Sequence, residues 1–290
     1  MSWANPHYLV ETDWLAANLE DPALRVLECT TILHPRPDGG YKAESGRATW
    51  AAGHIPRSGF ADLTDDLCDR SASWLYMMPS AEQMATAMAR LGVGDGVRVV
   101  LYDRAVNMWA ARVWWMLRAV GFDHAAVLNG GWKKWTLEGR PTSTAPCAYP
   151  PAGFVTRPRP ELFVGKDAVL AGLGERATCV LNALSPEQHR GTGGVAYGRP
   201  GRIAGSGNVP ARELVDPATH AYLAPDVLRR HFADAGALEA GRVITYCGGG
   251  IAASSDAFVL ALLGHDRVSV YDASLSELSL IHISEPTRPY

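Results

Sequence analysis

The sequence predicts an α/β fold made of one unit used twice, each copy a mostly parallel sheet flanked by helices. Three observations carry that reading. Short β-branched and aromatic segments alternate with helical ones, the pattern of parallel-sheet domains. Three motifs recur in the same order at nearly constant spacing. A strand also ends in Cys247-Gly248-Gly249-Gly250 immediately before a helix, at the strand end where sheets of this class place their sites.

In the first copy, strands are expected at 25–29, 97–102 and 125–128, and helices at 81–91, opened by Ser80, and at 110–120. Residues 139–160 hold Pro141, Pro146, Pro150, Pro151, Pro158 and Pro160, a density that resists helix and central strand, so the boundary between copies falls near residue 150. In the second copy, Val243 to Tyr246 reads as a buried strand, and Ala252, Ala253, Phe258, Val259 and Leu260 as a packed helix. Gly53-His54-Ile55-Pro56-Arg57-Ser58-Gly59 recurs as Gly201-Arg202-Ile203-Ala204-Gly205-Ser206-Gly207. Arg98-Val99-Val100-Leu101-Tyr102-Asp103 recurs as Arg242-Val243-Ile244-Thr245-Tyr246-Cys247, and Val120-Gly121-Phe122 as Leu263-Gly264-His265, giving offsets of 148, 144 and 143 residues. The expected organisation is a first domain over 1–145, a linker over 146–160, a second domain over 161–277 and a tail over 278–290. Nothing in the tail matches the segment from Thr136 onward. It reads as translated sequencing-adapter sequence, which leaves the second domain without its terminal helix.

Composition narrows the function. The chain has 290 residues, 20% charged and 47% hydrophobic, and a net charge of -3, values of a globular protein with no basic bias toward nucleic acid or an acidic membrane. No apolar run reaches bilayer length, and Asn5, His7, Glu11 and Asp13 stand where a signal peptide needs an apolar core, so a cytoplasmic location is expected. Cys29, Cys68, Cys147, Cys179 and Cys247 form no C-x-x-C pair and suggest neither a disulfide framework nor a zinc site. Such thiols suit a reducing compartment.

Of these cysteines, Cys247 stands apart. Three consecutive glycines let several backbone N–H groups point at one spot, and the free N–H groups and positive dipole end of the following helix add to that focus. An anion is well held there, so the thiolate of Cys247 is the candidate nucleophile. The competing reading, a small buried hydrophobe, does not account for the glycines. The position matching Cys247 in the first copy is Asp103, followed by Arg104 to Trp109 with no glycine cradle, so only the second copy is expected to act, with the first shaping the crevice between them.

With these residues in hand, the chain resembles the tandem-domain rhodanese family, the thiosulfate and 3-mercaptopyruvate sulfurtransferases, over about 8–277. Gly53-His54-Ile55-Pro56, Arg112-Val113-Trp114-Trp115, Asn129-Gly130-Gly131-Trp132 and the loop Gly248, Gly249, Gly250, Ile251, Ala252, Ala253 carry the likeness through their order and doubling. The resemblance implies two rhodanese-like domains and a persulfide on Cys247, taken from a small anionic sulfur donor and passed to a thiol or cyanide acceptor. It implies no metal and no organic cofactor. The glycine loop is similar to that of the mercaptopyruvate type. Where those enzymes use an arginine this chain has Gln188, and where they carry an Asp/His pair in the first domain it has Asp65 and Tyr76. Arg190 and Arg199 are the candidates to meet an anionic donor, each weighed against a solvated loop arginine.

Other features take structural readings. His54 and Arg202 are fold residues, and Trp114, Trp115, Trp132 and Trp135 are core. Thr245, Tyr246, Ser254 and Ser255 flank the cysteine as donors to sulfur or as backbone caps. No G-x-S-x-G elbow supports a hydrolase. A phosphatase loop would end in an arginine, which Gly248 to Ser255 lacks. The alternative to an enzyme is a non-catalytic sulfur-carrier or regulatory protein of rhodanese type.

Overall fold

The computed structural model of the protein describes residues 2–37 and 39–278; of the expected foreign tail over 278–290, all but Leu278 lies outside the described residues. Its strands, in chain order, are β1 (Leu9–Val10), β2 (Leu24–Glu28), β3 (Thr31–Pro35), β4 (Tyr41–Ser45), β5 (Ser58–Phe60), β6 (Arg98–Tyr102), β7 (Ala125–Leu128), β8 (Phe163–Val164), β9 (Thr178–Asn182), β10 (Gly207–Asn208), β11 (Arg242–Tyr246) and β12 (Val268–Tyr271). The first sheet runs β1-β7-β6-β2-β5 and the second β8-β12-β11-β9-β10, so the two halves share one strand order. Every pairing within both sheets is parallel. The doubled α/β reading is therefore the observed fold. An antiparallel hairpin, β3 with β4, is added to the first half.

The repeated motif has one structural job in both halves. A buried tyrosine hydroxyl on the central strand needs partners. Tyr102 accepts from the Ile55 amide at 3.2 Å and meets Ser58 at 2.9 Å. Tyr246 accepts from the Ile203 amide at 3.0 Å and meets Ser206 at 2.7 Å. Thus the Ile and Ser of each motif fasten its loop to the central strand, and Tyr246 is committed to the fold. His54 is fully buried and bonds the Trp50 and Ala145 carbonyls, a fold residue as expected.

The helices Met108–Ala119 and Ile251–Leu262 pack on one another and join the halves into one core. Every residue of the second helix except Ala252 is buried, the polar Ser254, Ser255 and Asp256 included. Trp114 meets Phe258 edge to face at 4.9 Å across this seam. Polar ties cross it symmetrically. The Arg112 guanidinium donates to the Asp272 carboxylate at 2.6 Å, and Asn107 donates to the His220 carbonyl at 2.8 Å. Met78 N–H donates to Asp272 at 2.7 Å, and Tyr222 N–H to Asn129 at 2.8 Å. Each half thereby holds a loop of the other. The proline-rich segment between them is pinned along the first half, with Ala152 N–H on the Ala89 carbonyl at 3.0 Å and Arg157 N–H on Val120 at 2.7 Å.

Candidate active site

Cys247 follows the last residue of β11, at the C-terminal end of the second sheet's central strand, and is 3% exposed. The chain turns through Gly248 and Gly249 and enters the helix at Ile251, with Gly250 at φ +77°. A side chain at Gly250 would be strained by that φ and would also meet the Asp272 carbonyl at 2.7 Å and the Arg112 guanidinium at 3.0 Å. At Gly248 a Cβ would strike the Tyr197 ring at 2.0 Å, so that ring lies directly on the loop.

Ser274 fixes the turn from beneath. Its hydroxyl accepts from the N–H of Cys247 at 3.0 Å and of Gly250 at 3.2 Å while donating to the Tyr271 carbonyl at 2.7 Å. Among the described residues, the N–H groups of Gly248 and Gly249 have no acceptor. With the unpaired amides of the helix start, they remain available to an anion at the thiol. Thr245 turns its hydroxyl to the Ala253 carbonyl at 3.0 Å, and Ser254 turns its own to Gly250 at 2.8 Å. Both serve the backbone rather than sulfur. Burial pushes the thiols of Cys29, Cys68, Cys147 and Cys179 up, which suits inert cysteines.

Above Cys247 opens a cleft of about 340 Å³ between the halves, lined by Gly249, Ile251 and Ala252 of the loop and by Tyr76, Met108 and Trp109 of the first half. Its roof is made where the β3–β4 hairpin meets the glycine-rich segment 191–201: Gly40 N–H donates to the Ala196 carbonyl at 2.8 Å, and the rings of Tyr41 and Tyr197 lie 6.1 Å apart. Burial first, then the sulfur of Cys247, push the Tyr197 hydroxyl far up, so it stays a proton donor.

The structure distributes the sequence candidates unevenly. Tyr76 lines the cleft, its ring edge-on to Trp109 at 5.4 Å. Arg199 lines a neighbouring hollow of about 180 Å³ with Gln188, separated from the thiol by Tyr197 and Leu184, which border both spaces. Arg190 pairs with Glu187 at 3.2 Å on the surface, and Asp65 pairs with Arg70 at 2.6 Å, also on the surface. Neither borders the cleft. Gln188 caps its own helix with Ser185 and braces the Val195 carbonyl at 2.8 Å. Sequence reasoning missed Tyr197 and Ser274. The repeat held the signal for Ser274, which occupies the position of Gly131.

The first half corrects one expectation. It does have an amide cradle, built without glycine. The Asp103 carboxylate accepts from Ala105 at 2.8 Å, Asn107 at 3.2 Å, Trp109 at 2.8 Å and Ala110 at 3.0 Å. Asn107 takes the left-handed turn, at φ +64°, that Gly250 takes in the second half. Burial pushes Asp103 up to about 6 against the pull of those four bonds. The first half thus fills its own anion site with a carboxylate.

Comparison with known proteins agrees with this geometry. The family model described as Rhodanese-like domain matches residues 11–138. The chain is 31% identical over 289 residues to the "Sulfur carrier protein TtuD" of Thermus thermophilus, covering 96% of this chain and 95% of that protein. It is 29% identical to the "3-mercaptopyruvate sulfurtransferase" of Escherichia coli, covering 93% and 94%. The crystal structure of SseA from Escherichia coli superimposes with a TM-score of 0.78 at 27% identity, over 92% of this chain and 98% of that one. The full-length likeness, together with the strand order that both halves repeat, shows that this chain belongs to the rhodanese family.

Proposed function

We propose that the protein is a sulfurtransferase that moves a sulfane sulfur from thiosulfate or 3-mercaptopyruvate to a thiol or cyanide acceptor through a persulfide on Cys247. The observation that supports this most is that Cys247 lines the cleft beside the amides of Gly248 and Gly249, which have no acceptor among the described residues. The Cys247 thiolate attacks the donor's outer sulfur, a sulfur–sulfur bond forms, and the donor's bond to that sulfur breaks. The leaving electron pair departs on sulfite, or on the enolate of pyruvate, which then takes a proton. The acceptor next attacks the outer sulfur and returns the pair to Cys247. Through both steps the amides of Gly248 and Gly249 can hold the negative charge on sulfur, which is where preorganised donors lower a barrier. Asp103 holds its own cradle closed, so the first half contributes walls rather than a second nucleophile.

The printed name of the Thermus relative favours a second reading, a carrier that holds the sulfur for a partner instead of turning over on small acceptors. Release of sulfite from thiosulfate and of pyruvate from 3-mercaptopyruvate, followed with and without cyanide, separates the two. Multiple turnovers, lost in Cys247→Ser, support the enzyme. A single equivalent of product supports the carrier, and no product from either donor rejects both.

A further inference from the structure

The cleft carries information about which acceptor it selects, and this inference rests on the sulfur-transfer reading above. Its walls are aromatic. Tyr41, Trp74, Tyr76, Trp109 and Tyr197 all border it, with Leu75 exposed at the rim. Among the described lining residues there is no carboxylate, histidine or lysine, and Arg36 is the one cation. Two consequences follow. A small inorganic anion fills little of a space of about 340 Å³ and gains nothing from ring faces. An alkyl thiol, with a pKa near the cysteine value of about 8.5, meets no general base among the described lining residues to make it nucleophilic at neutral pH.

A thiol borne on an aromatic ring answers both conditions. Its ring stacks on aromatic walls, and ring delocalisation makes it a thiolate at neutral pH without a base. Tyr76 is fixed from behind by Trp109 and by the Arg112 contact to its carbonyl at 2.6 Å, so it forms a rigid part of those walls. We propose that the acceptor this site selects is an aryl or heteroaryl thiolate, its ring held against Tyr197 and Trp74. The aryl thiolate attacks the outer sulfur of the protonated Cys247 persulfide. The new sulfur–sulfur bond forms as the old one breaks, the proton leaves with the transferred sulfur, and the electron pair returns to Cys247 as thiolate. The products are an aryl persulfide and the resting protein, with charge and oxidation state balanced.

The test uses the full chain and two readouts. First, the chain loaded with sulfur is discharged in single turnovers by thiophenol, 2-mercaptoethanol and cyanide, each rate divided by that for a free alkyl persulfide. The expected result is a normalised advantage for thiophenol of about tenfold or more, retained in Tyr197→Phe and reduced in Tyr197→Ala by a larger factor than the cyanide or 2-mercaptoethanol rate. Equal normalised rates, or a loss in Tyr197→Ala shared by all three acceptors, overturn the proposal. Second, thiophenol and 2-mercaptoethanol are titrated into the Cys247→Ser chain by calorimetry. Binding of thiophenol alone supports the aryl site even if the wild-type chain never loads sulfur, a result that would reject the transfer reading instead. No thiophenol binding overturns the aryl site.

Discussion

The guanidinium of Arg112, on the first half's interface helix, meets the carboxylate of Asp272, at the end of β12 in the second half, at 2.6 Å with the arginine side chain fully buried. The same guanidinium nitrogen bonds the Tyr76 carbonyl, and Asp272 lies two residues before Ser274, the anchor of the cysteine loop. One pair therefore ties the first half, the cleft wall and the nucleophile's loop together. Breaking a buried pair by removing one partner leaves an uncompensated charge. Arg112→Ala and Asp272→Ala should each cost about 3–5 kcal/mol in chemical denaturation, and the double variant should cost less than the sum. Additive losses would mean that the two charges are not coupled.

Ser274 sits at φ +52°, a conformation glycine accepts, and the first half has Gly131 there at φ +50°. Ser274→Gly should leave the backbone unstrained while leaving the Cys247 and Gly250 amides without their acceptor, a loss of about 1–3 kcal/mol. Sulfur loading should slow more than stability falls, because the loop loses its register. A loading rate equal to wild type would show that the hydroxyl serves the fold alone.

Asp256 lies fully buried on the second interface helix, and neither carboxyl oxygen has a partner among the described residues. Burial pushes its pKa well above the ordinary carboxyl value. A raised folded pKa means that stability is complete below the unfolded pKa, about 3.9, and is lost as pH rises from there toward the folded value. The matching residue in the first half is the fully buried Val113. Asp256→Val should therefore stabilise the chain by about 1–3 kcal/mol at pH 8 and by much less at pH 4. Melting curves at the two pH values check this, and a gain that did not grow with pH would contradict it.

Asp103 answers four amides, whereas an asparagine there would turn its NH₂ toward some of them. Asp103→Asn should destabilise by about 1–3 kcal/mol yet leave the loading of Cys247 unchanged in the folded fraction. Loss of loading out of proportion to unfolding would give the first half a chemical role that the structure does not suggest.

Much of this architecture was legible before any coordinates. The repeat of Gly53 to Gly59 in Gly201 to Gly207 announced two like halves, and the pairings of Tyr102 and Tyr246 with those loops explain why it persists. Cys247 and its turn were legible because a glycine run at a strand end has few other uses. The cradle at Asp103 was hidden because Asn107 supplies the left-handed turn that was sought in glycine. Arg190, Arg199 and Asp65 stood out as charges, but whether a loop charge faces a cleft depends on packing between distant segments. The same limit hid Tyr197, a lone tyrosine in a glycine-rich loop, and Asp272, 160 residues from its partner Arg112.

The central claim is that sulfur travels on Cys247, and it can be read directly. The full-length chain, incubated with thiosulfate or 3-mercaptopyruvate and digested without reductant, should show about 32 Da added to the peptide carrying Cys247, none on those carrying Cys29, Cys68, Cys147 or Cys179, and reversal by a thiol. An unmodified Cys247 peptide with both donors, or the added mass on another cysteine, would contradict the account.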